Sequence, residues 1–599
     1  MTIASVGDLR TVQESDSQRV DPGPARRARL APVASVAAGT ALIGAHASVY
    51  GYWLIDDAAI TFSYARSFAE GLGPVLQPDA APVEGYSNPT WLLLLVLGRF
   101  VGLFDRGALF GIPDYVLFPK GLALLCCAAI LTLSYVAARK VFSTLAWVVP
   151  LAMGAVLAAM PSFVIWAFSG LENPLYALLL VAQAVLLFCA VLDNRLLSGK
   201  VAVAAGGLAA LAALTRPEGL IYAGSYPLVL LTQLRRATLP RSVRRCVESS
   251  LVFLVPVAAY FCWRYATFGQ WLSMPSVAKA QDLPTLVDLT RPGELVSYFG
   301  ALAVLFAVSM IAATLARTPW WRPGLLAVLA PLGLAVIAYA VLEPDWMAQY
   351  RFATPVWVLG TLAATLATVE VLRSARLRAR AWLVTGLVAA LLPTGAGFVQ
   401  ASQEFRAHPD ISACYVADRF GRVFNGYADI LGLEKASLLI PDLGGSSMTS
   451  RLELVDMAGL THATFAEMIR NGDRRAQADY VYTVAEPTFI YIREPWTSGT
   501  GIGWDARLQR DYYPLHYHVE QGEPHGDWVR KSAVPSAEVL AELRDYATTS
   551  AAWVESRLYV SPLRHCGPTL HRGQTEPSEP NPGVPASRPV TSESGNTER

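Results

Sequence analysis

The chain has 599 residues, of which 53% are hydrophobic and 16% are charged, and its mean hydropathy is +0.37. This composition excludes an ordinary soluble enzyme and is typical of a protein that crosses a membrane several times. The net charge of +1 gives no sign of a basic recognition surface, so we expect no nucleic-acid partner.

Clusters of basic residues indicate how the apolar part of the chain crosses the membrane. A polar tail, residues 1–32, carries three arginines just before the first apolar segment, residues 33–54. Because lysine and arginine collect on the cytoplasmic side, we expect a cytoplasmic tail and an outer end to this first span. The next apolar stretch, residues 91–104, is short and contains an arginine, so we interpret it as a helix lying on the outer side.

With that short stretch kept outside, nearly every basic cluster between spans falls on the cytoplasmic side, and about eleven transmembrane helices result. The fold class is therefore an α-helical polytopic protein of the plasma membrane. Its membrane domain covers residues 33–400 and has its first outer loop at 55–115. The predicted spans are 33–54, 116–138, 147–166, 175–192, 201–214, 220–234, 251–268, 298–316, 325–342, 352–372 and 382–399.

Two adjacent carboxylates, Asp56 and Asp57, stand where the first span leaves the membrane. They open a predicted helix that ends at the glycine-containing turn 71–73, with apolar residues at helical spacing on one face. Asp56 can cap such a helix, and Asp57 can favour its positive N-terminus. Two acids at a membrane exit, followed by a polar cluster around Glu84, favour a functional site over a cap alone.

Further polar motifs interrupt the apolar pattern, and the predicted topology puts all of them on the outer side. Each has a structural explanation as a helix start, a tight turn, a solvated lysine or a local ion pair. Because charges at a membrane are costly and tend to mark sites, their convergence on one face favours one common site. The motifs are Glu84-Gly85-Tyr86, residues 169–174 with Glu172, residues 216–219 with Arg216 and Glu218, Lys279 in the loop 269–296, and residues 343–351 with Asp345 and Arg351.

Such a set of charges suits sugar transfer from a lipid phosphate. A carboxylate can take the proton of an acceptor hydroxyl, while fixed cations hold the phosphate leaving group. Asp57 is the first candidate for this acid and Asp56 is the alternate, and the two can titrate as a coupled pair. Carboxylates alone leave open whether a divalent metal takes part. The candidates for the donor phosphate are Arg216, Lys279 and Arg351, and those for the acceptor are Glu84, Tyr86, Glu172, Glu218 and Asp345.

The same motifs resemble those of the GT-C glycosyltransferases, most of all the terminal arabinofuranosyltransferases of actinobacterial cell walls. The resemblance covers roughly residues 35–460 and rests on residues 56–62, 71–73, 83–88, 169–172, 214–219 and 345–352. Pro275-Ser276 ahead of Lys279 agrees with the family pattern, whereas residues 77–82 depart from the turn that is usual there.

The resemblance implies a polyprenyl-phosphate sugar donor, with arabinofuranose as the sugar, and a cell-envelope glycan acceptor. It also implies an extracytoplasmic active site with an essential acid in the first outer loop, which maps here onto Asp56 and Asp57. Besides the donor and the acceptor, we expect membrane lipids as partners.

A polar region, residues 401–566, follows the last span and is predicted to be an extracytoplasmic α/β domain. Two short apolar runs, 438–440 and 452–455, read as buried strands followed by Asp442 and Asp456. These two acids resemble the carboxy-terminal part of the family as well; we take them as scaffold first and as acceptor-binding residues second. The tail, residues 567–599, is rich in Pro, Ser, Glu and Thr and is predicted to be disordered.

Cys414 and Cys566 are the only cysteines outside the membrane region, near the two ends of this domain. A disulfide between them is possible in an oxidising compartment, although the sequence does not give their distance. His516 and His518 alternate along one predicted strand, residues 512–519. Without a third ligand nearby, the sequence does not favour zinc.

Two other functions fit the same composition. A transporter of lipid-linked or acidic solutes would line its path with the same charges, and a catalytically silent GT-C relative would act in envelope assembly. The polar motifs gather at one membrane face and a soluble domain follows, which favours an enzyme over a transporter. The presence of both Asp56 and Asp57 argues against the silent relative.

Overall fold

A computed structural model describes residues 24–279, 284–520 and 523–557, together with 566, 567 and 569, without the side chains of 24–29, 520 and 523. An α-helical membrane region precedes a C-terminal domain with a five-stranded sheet, as the sequence predicts. Most of the predicted cytoplasmic tail and almost all of the predicted disordered tail lie outside the described residues.

In its described residues, the membrane region contains sixteen α-helices, two short strands and four 3-10 segments, 217–224, 236–238, 288–290 and 351–353. Its elements are α1 (Pro24–Ser48), α2 (Asp56–Ala69), α3 (Pro89–Phe100), β1 (Ala108–Leu109), β2 (Ile112–Pro113), α4 (Asp114–Val141), α5 (Val148–Ala159), α6 (Pro161–Ala167), α7 (Asn173–Leu192), α8 (Gly199–Ala213), α9 (Ser225–Thr232), α10 (Leu239–Phe268), α11 (Met274–Ala278), α12 (Pro292–Phe299), α13 (Ala301–Arg317), α14 (Arg322–Val341), α15 (Thr354–Ser374) and α16 (Leu377–Ala407).

Within the described residues, seven helices are long and apolar enough to cross a membrane, and two bent pairs raise the number to nine. They are Leu30–Ser48, Asp114–Val141, Asn173–Leu192, Arg236–Phe268, Arg322–Val341, Arg351–Ser374 and Leu377–Ala407, with Val148–Ala159 plus Pro161–Ala167 and Asp288–Phe299 plus Ala301–Arg317 as the bent pairs. Two predicted spans, 201–214 and 220–234, are helical but shorter than a span. At the start of the second, Gly219 allows the 3-10 segment to fold back on α8, because a side chain there would overlap the carbonyl of Ala212.

The two bends have local causes. The chain turns by 87° between α5 and α6, where Met160 is extended and Pro161 starts the next helix. It turns by 103° between α12 and α13 at Gly300, whose φ of 92° is accessible mainly to glycine. The short helix predicted at 91–104 is present as α3, twelve residues long and connected to α2 within the first loop.

The C-terminal domain mixes helices with one sheet, whose strand order is β4-β3-β5-β7-β6. Strands β3 and β4, predicted from the sequence, pair in parallel with Leu439 opposite Val455, while β7 runs antiparallel to both of its neighbours. The elements are α17 (Ala413–Val416), α18 (Val423–Ile430), β3 (Ser437–Ile440), α19 (Gly444–Thr449), β4 (Glu453–Asp456), α20 (Ala463–Arg470), α21 (Arg474–Tyr480), β5 (Phe489–Ile492), α22 (Trp496–Thr500), α23 (Ala506–Asp511), β6 (Tyr512–Glu520), β7 (Glu523–Arg530) and α24 (Ala537–Glu555).

Two hydrogen-bonded connections attach this domain to the first loop, and a disulfide joins the two ends of the domain. Cys414 and Cys566 form a disulfide, so the pairing that the sequence left open is made. The backbone N–H of Cys566 donates to the hydroxyl of Tyr115 at 2.7 Å, at the start of α4. Near the other end of the domain, Ile55 and Ser412 form an antiparallel bridge. The first loop is therefore held from both ends of the domain.

Candidate active site

Helix α2 carries the two adjacent acids and lies between the membrane helices and the C-terminal domain. Asp56 is buried, and its two carboxylate oxygens accept the backbone N–H groups of Gly444 (3.0 Å) and Gly445 (2.7 Å), where α19 begins. Side chains at these two glycines would overlap backbone atoms of Asp56 and Ala413, so only glycine allows this approach. Two turns along α2, Ser63 and Ser447 share a hydrogen bond of 2.7 Å. Asp56 therefore docks α19 onto α2.

The environment of Asp56 disfavours its charged form. Burial raises the pKa of its carboxyl well above the ordinary value, and the nearby carboxylates of Asp442 and Asp57 raise it further. The N–H groups of Gly445 and Gly444 act in the opposite direction. A carboxyl held in this way suits a structural contact better than the repeated gain and loss of a proton.

Asp57 has a different environment although it is the next residue. Its side chain is 22% exposed, and the ammonium of Lys279 lies 3.7 Å from its Oδ2 atom. The side chain of Lys279 is half exposed. This acid–base pair is thus open to a ligand, in contrast to Asp56.

The position of Lys279 is set by both parts of the protein. Helix α11 ends directly before it, and Met274 and Val277 of α11 pack against Ala466 of the C-terminal domain. The backbone N–H of Met274 also donates to the carbonyl of Glu84 at 3.0 Å. The lysine is thereby placed where the first loop, the 269–279 segment and the C-terminal domain meet.

One turn along α2 from Asp57, a polar chain leads into the membrane region. Asn88 lies 3.4 Å from the Thr61 hydroxyl and donates to Glu172 at 2.7 Å. The other oxygen of Glu172 pairs with Arg216 at 2.7 Å. Arg216 also pairs with Glu218, so its charge is met by two carboxylates.

Arg351 lies beside this chain and is likewise paired. Its Nε atom is 2.6 Å from Asp345, at an angle outside that of a hydrogen bond. The guanidinium groups of Arg216 and Arg351 lie 5.2 and 4.9 Å from the ring centre of Phe352. Asn173 links the two further, because it donates to the carbonyl of Arg351 at 3.3 Å and contacts Arg216 at 3.4 Å. The structure therefore brings Glu172, Arg216, Glu218, Asp345 and Arg351 into one cluster, and places Lys279 with Asp57.

Glu84 and Tyr86 are buried. Glu84 pairs with Arg264 at the end of α10 and accepts the hydroxyl of Tyr260 at 2.5 Å. Burial raises the pKa of Glu84, and Arg264 partly offsets the rise. The ring of Tyr86 packs edge-on against Tyr64 at 5.1 Å. Sequence reasoning missed Arg264 and Tyr260, because both lie inside a segment that reads as a continuous span.

Asp442 and Asp456 both have structural partners. Asp442 forms a two-pronged pair with Arg493, at 2.8 and 2.5 Å. Asp456 accepts the N–H groups of Ala458 and Thr461 and so holds the turn after β4; burial raises its pKa to about 6.

Across the described residues, no group of three or more His, Cys, Asp or Glu side chains is placed to hold a metal ion. His516 is engaged with Glu555 at 3.1 Å, which raises the pKa of the imidazole. The histidine pair predicted on one strand therefore belongs in part to an ion network of the C-terminal domain.

Comparison with known proteins supports the fold. The sequence matches no protein-family model and no curated protein sequence. Among solved structures, it is similar to ArnT from Cupriavidus metallidurans in the apo state, with a TM-score of 0.50, 13% identity and coverage of 84% of this chain and 98% of that chain. The same ArnT bound to undecaprenyl phosphate aligns with a TM-score of 0.47, at 13% identity, over 84% of this chain and 98% of that one.

The chain also aligns with the oligosaccharyltransferase of Archaeoglobus fulgidus in the apo form, with a TM-score of 0.49, 12% identity and coverage of 87% of this chain and 78% of that chain. Together with the helical membrane region and the sheet-containing domain, the similarity to apo ArnT confirms the predicted GT-C fold.

Proposed function

We propose that this protein is a glycosyltransferase that moves a sugar from a polyprenyl-phosphate donor to a cell-envelope glycan. The observation that carries the proposal is the pair formed by Asp57 and Lys279, a partly exposed acid and base 3.7 Å apart where the first loop meets the C-terminal domain. In this proposal Asp57 takes the proton of the acceptor hydroxyl, and Lys279 stabilises the negative charge that grows on the departing phosphate.

Asp57 is favoured over Asp56 as the carboxylate that takes the proton. Asp56 is buried and uses both carboxylate oxygens to hold α19, whereas Asp57 keeps exposed surface. A group that exchanges a proton with substrate must be within reach of it. We therefore assign Asp56 to positioning and Asp57 to chemistry.

Lys279 is favoured for the donor phosphate for a similar reason. Arg216 and Arg351 were predicted for the same role, but both are buried and already paired with carboxylates. To hold a phosphate they would have to exchange these partners. Lys279 is half exposed and lies 3.7 Å from Asp57, farther than Arg216 and Arg351 lie from their carboxylates, at 2.7 and 2.6 Å.

The donor class follows from two lines of support. ArnT, whose apo form shares the fold, binds undecaprenyl phosphate, which is a polyprenyl phosphate. The motif resemblance adds arabinofuranose as the sugar and a cell-wall glycan as the acceptor. Among the acceptor candidates, Glu172, Glu218 and Asp345 belong to the cluster around the two arginines. Glu84 is paired with Arg264, and Tyr86 packs against Tyr64.

We place the active site and the C-terminal domain, from residue 401, on the extracytoplasmic side of the plasma membrane. The disulfide between Cys414 and Cys566 supports this side, because disulfides persist in oxidising compartments. The distribution of basic residues between spans supports the same orientation.

The test is transfer of radiolabelled sugar from synthetic polyprenyl-phosphate arabinofuranose to an arabinan oligosaccharide by the purified protein. We expect transfer by the wild type and its loss in Asp57→Asn and Lys279→Gln. A matched control is a partly exposed lysine–aspartate pair elsewhere in the chain, Lys140 with Asp193 at 2.7 Å, so Lys140→Gln and Asp193→Asn should leave transfer unchanged.

Full transfer by Asp57→Asn would contradict the assigned acid. Absence of transfer by the wild type, from this donor and from other polyprenyl-phosphate sugars, would favour a transporter or a catalytically silent relative.

A further inference from the structure

A polar cavity of about 460 Å³ lies next to the cluster around Arg351. Its walls come from α12, the end of α14, the segment 344–352 and the last turns of α16. The volume is in the range of pockets that enclose small ligands, about 300–1,000 Å³. The polar lining residues are Arg291, Glu294, Tyr298, Tyr339, Asp345, Gln349, Tyr350, Arg351 and Glu404.

The segment that forms one wall is strained and firmly held. Gln349 and Tyr350 are not glycines, yet both have positive φ values, 61° and 53°. Such residues cost about 1–3 kcal/mol each and persist where the surroundings determine them. The carbonyl of Gln349 accepts the Trp166 indole at 3.1 Å and the Ser162 hydroxyl at 2.7 Å, while Asp410 accepts the N–H of Ala348 at 3.0 Å. The wall is therefore rigid before any ligand arrives.

The charges of the cavity do not suit a phosphate. Two arginines and three carboxylates line it, so the formal net charge is −1. Arg351 faces Asp345, and Arg291 donates to the carbonyl of Leu342 and lies over the ring of Tyr339 at 5.3 Å. An anionic ligand would meet no surplus of positive charge here. A neutral ligand with many hydroxyl groups can use both the donors and the acceptors.

The tyrosines give the cavity flat apolar surfaces in fixed orientations. The hydroxyl of Tyr298 donates to the side chain of Gln349 at 3.1 Å, and that of Tyr339 donates to Glu294 at 3.2 Å. The rings of Tyr298 and Tyr350 pack edge-on at 5.0 Å. Rings fixed beside carboxylates, amides and guanidinium groups can contact the C–H faces of a sugar while its hydroxyls are hydrogen-bonded.

We propose that this cavity binds neutral sugar residues of the acceptor glycan, away from the hydroxyl that reacts. The identity of the ligand as the acceptor rests on the proposed function, whereas the binding of a neutral oligosaccharide does not. Arg351 belongs both to the cavity and to the cluster that leads through Glu172 and Asn88 towards α2.

The test blocks the cavity without touching its polar groups. Ala401 lines it from α16, and the neighbouring Gln400 is exposed and does not. We would measure binding of an arabinofuranose hexasaccharide by calorimetry to the full-length protein in lipid nanodiscs. Ala401→Trp should weaken binding about tenfold or more, the loss of about 1.4 kcal/mol. Gln400→Trp is the matched control and should bind as the wild type does.

Kinetics then separate the cavity from the reacting centre. With the hexasaccharide as acceptor, Ala401→Trp should raise the KM for the acceptor about tenfold. The KM for the polyprenyl-phosphate donor and the rate with a disaccharide acceptor should stay as in the wild type. Asp57→Asn should abolish transfer and keep hexasaccharide binding. If Ala401→Trp does not fold, Tyr339→Phe, which removes only a hydroxyl, takes its place.

The outcomes distinguish the two proposals. Unchanged hexasaccharide affinity in both cavity variants would overturn the cavity proposal, as would a raised KM for the donor alone. Suppose that the wild type binds the hexasaccharide but transfers no sugar, and that Ala401→Trp loses this binding. That result would support the cavity proposal and reject the proposed function. If the wild type binds maltohexaose as tightly as the arabinofuranose hexasaccharide, the cavity is a site for neutral sugars and is not selective for the arabinan acceptor.

Discussion

Replacement of each of the two adjacent acids by alanine should affect a different property: Asp56→Ala should lower stability, and Asp57→Ala should remove sugar transfer. In Asp56→Ala, the buried N–H groups of Gly444 and Gly445 lose their acceptor. Hydrogen bonds to a charged group contribute about 1.5–3 kcal/mol each. Because burial raises the pKa of Asp56, we take the lower end, or about 3 kcal/mol for both bonds. In Asp57→Ala, only a partly exposed pair with Lys279 is lost, which is about 0–1 kcal/mol.

Thermal unfolding of the detergent-solubilised protein, followed by tryptophan fluorescence, measures the difference. If the C-terminal domain unfolds as one unit, about 3 kcal/mol corresponds to a fall in Tm of about 6–12 °C for Asp56→Ala. Asp57→Ala should have a Tm close to that of the wild type and should lose sugar transfer. Equal shifts in Tm for the two variants, or a larger shift for Asp57→Ala, would refute the assignment of Asp56 to docking and Asp57 to chemistry.

Three further outcomes are expected. Arg264→Gln leaves Glu84 buried without its ion pair and should lower the free energy of unfolding by about 3–5 kcal/mol, measured as a lower Tm. Adding Glu84→Gln should recover part of this loss. Strictly additive losses in the two variants would contradict the coupling. The Asp410 carboxyl has its pKa raised by burial from 3.8 to about 6, so its contribution to stability is present below its ordinary pKa and is lost as the pH rises through about 6. Asp410→Asn should therefore flatten the fall in Tm from acid to neutral pH, and an unchanged slope would contradict it. Cys414→Ser with Cys566→Ser, or chemical reduction, should cost about 2–5 kcal/mol, and an unaltered Tm after reduction would show that the disulfide does not form.

The sequence predicts the helical fold and the first loop well, because these depend on local patterns. The helix that begins at Asp56 and stops before Gly71 follows from two acids, an apolar face and a glycine with a φ of 79°. The short helix α3 follows from the length of its apolar stretch and from its single arginine. Strands β3 and β4 follow from short apolar runs that end in turn-forming residues.

The site is less predictable, because its contacts join distant parts of the chain. Asp56 and Asp57 read alike in the sequence, and only α19, 388 positions later, makes one buried and leaves the other accessible. Arg264 reads as the end of a span, and its partner Glu84 lies 180 positions earlier. The pairing of Arg216 with Glu172 depends on how the segment before α7 meets the segment after α8, which no local pattern records.

The connections of the first loop also impose an order in time. Asp56 binds residues 388 positions later, and Tyr115 binds Cys566, 451 positions later. At about 5–20 residues per second, a ribosome needs about 20–90 seconds to make the intervening chain. Throughout that interval α2 has been made while its partners in α19 have not. A chain interrupted before residue 444 would therefore contain all of the apolar helices and still lack the glycine N–H groups that bind Asp56.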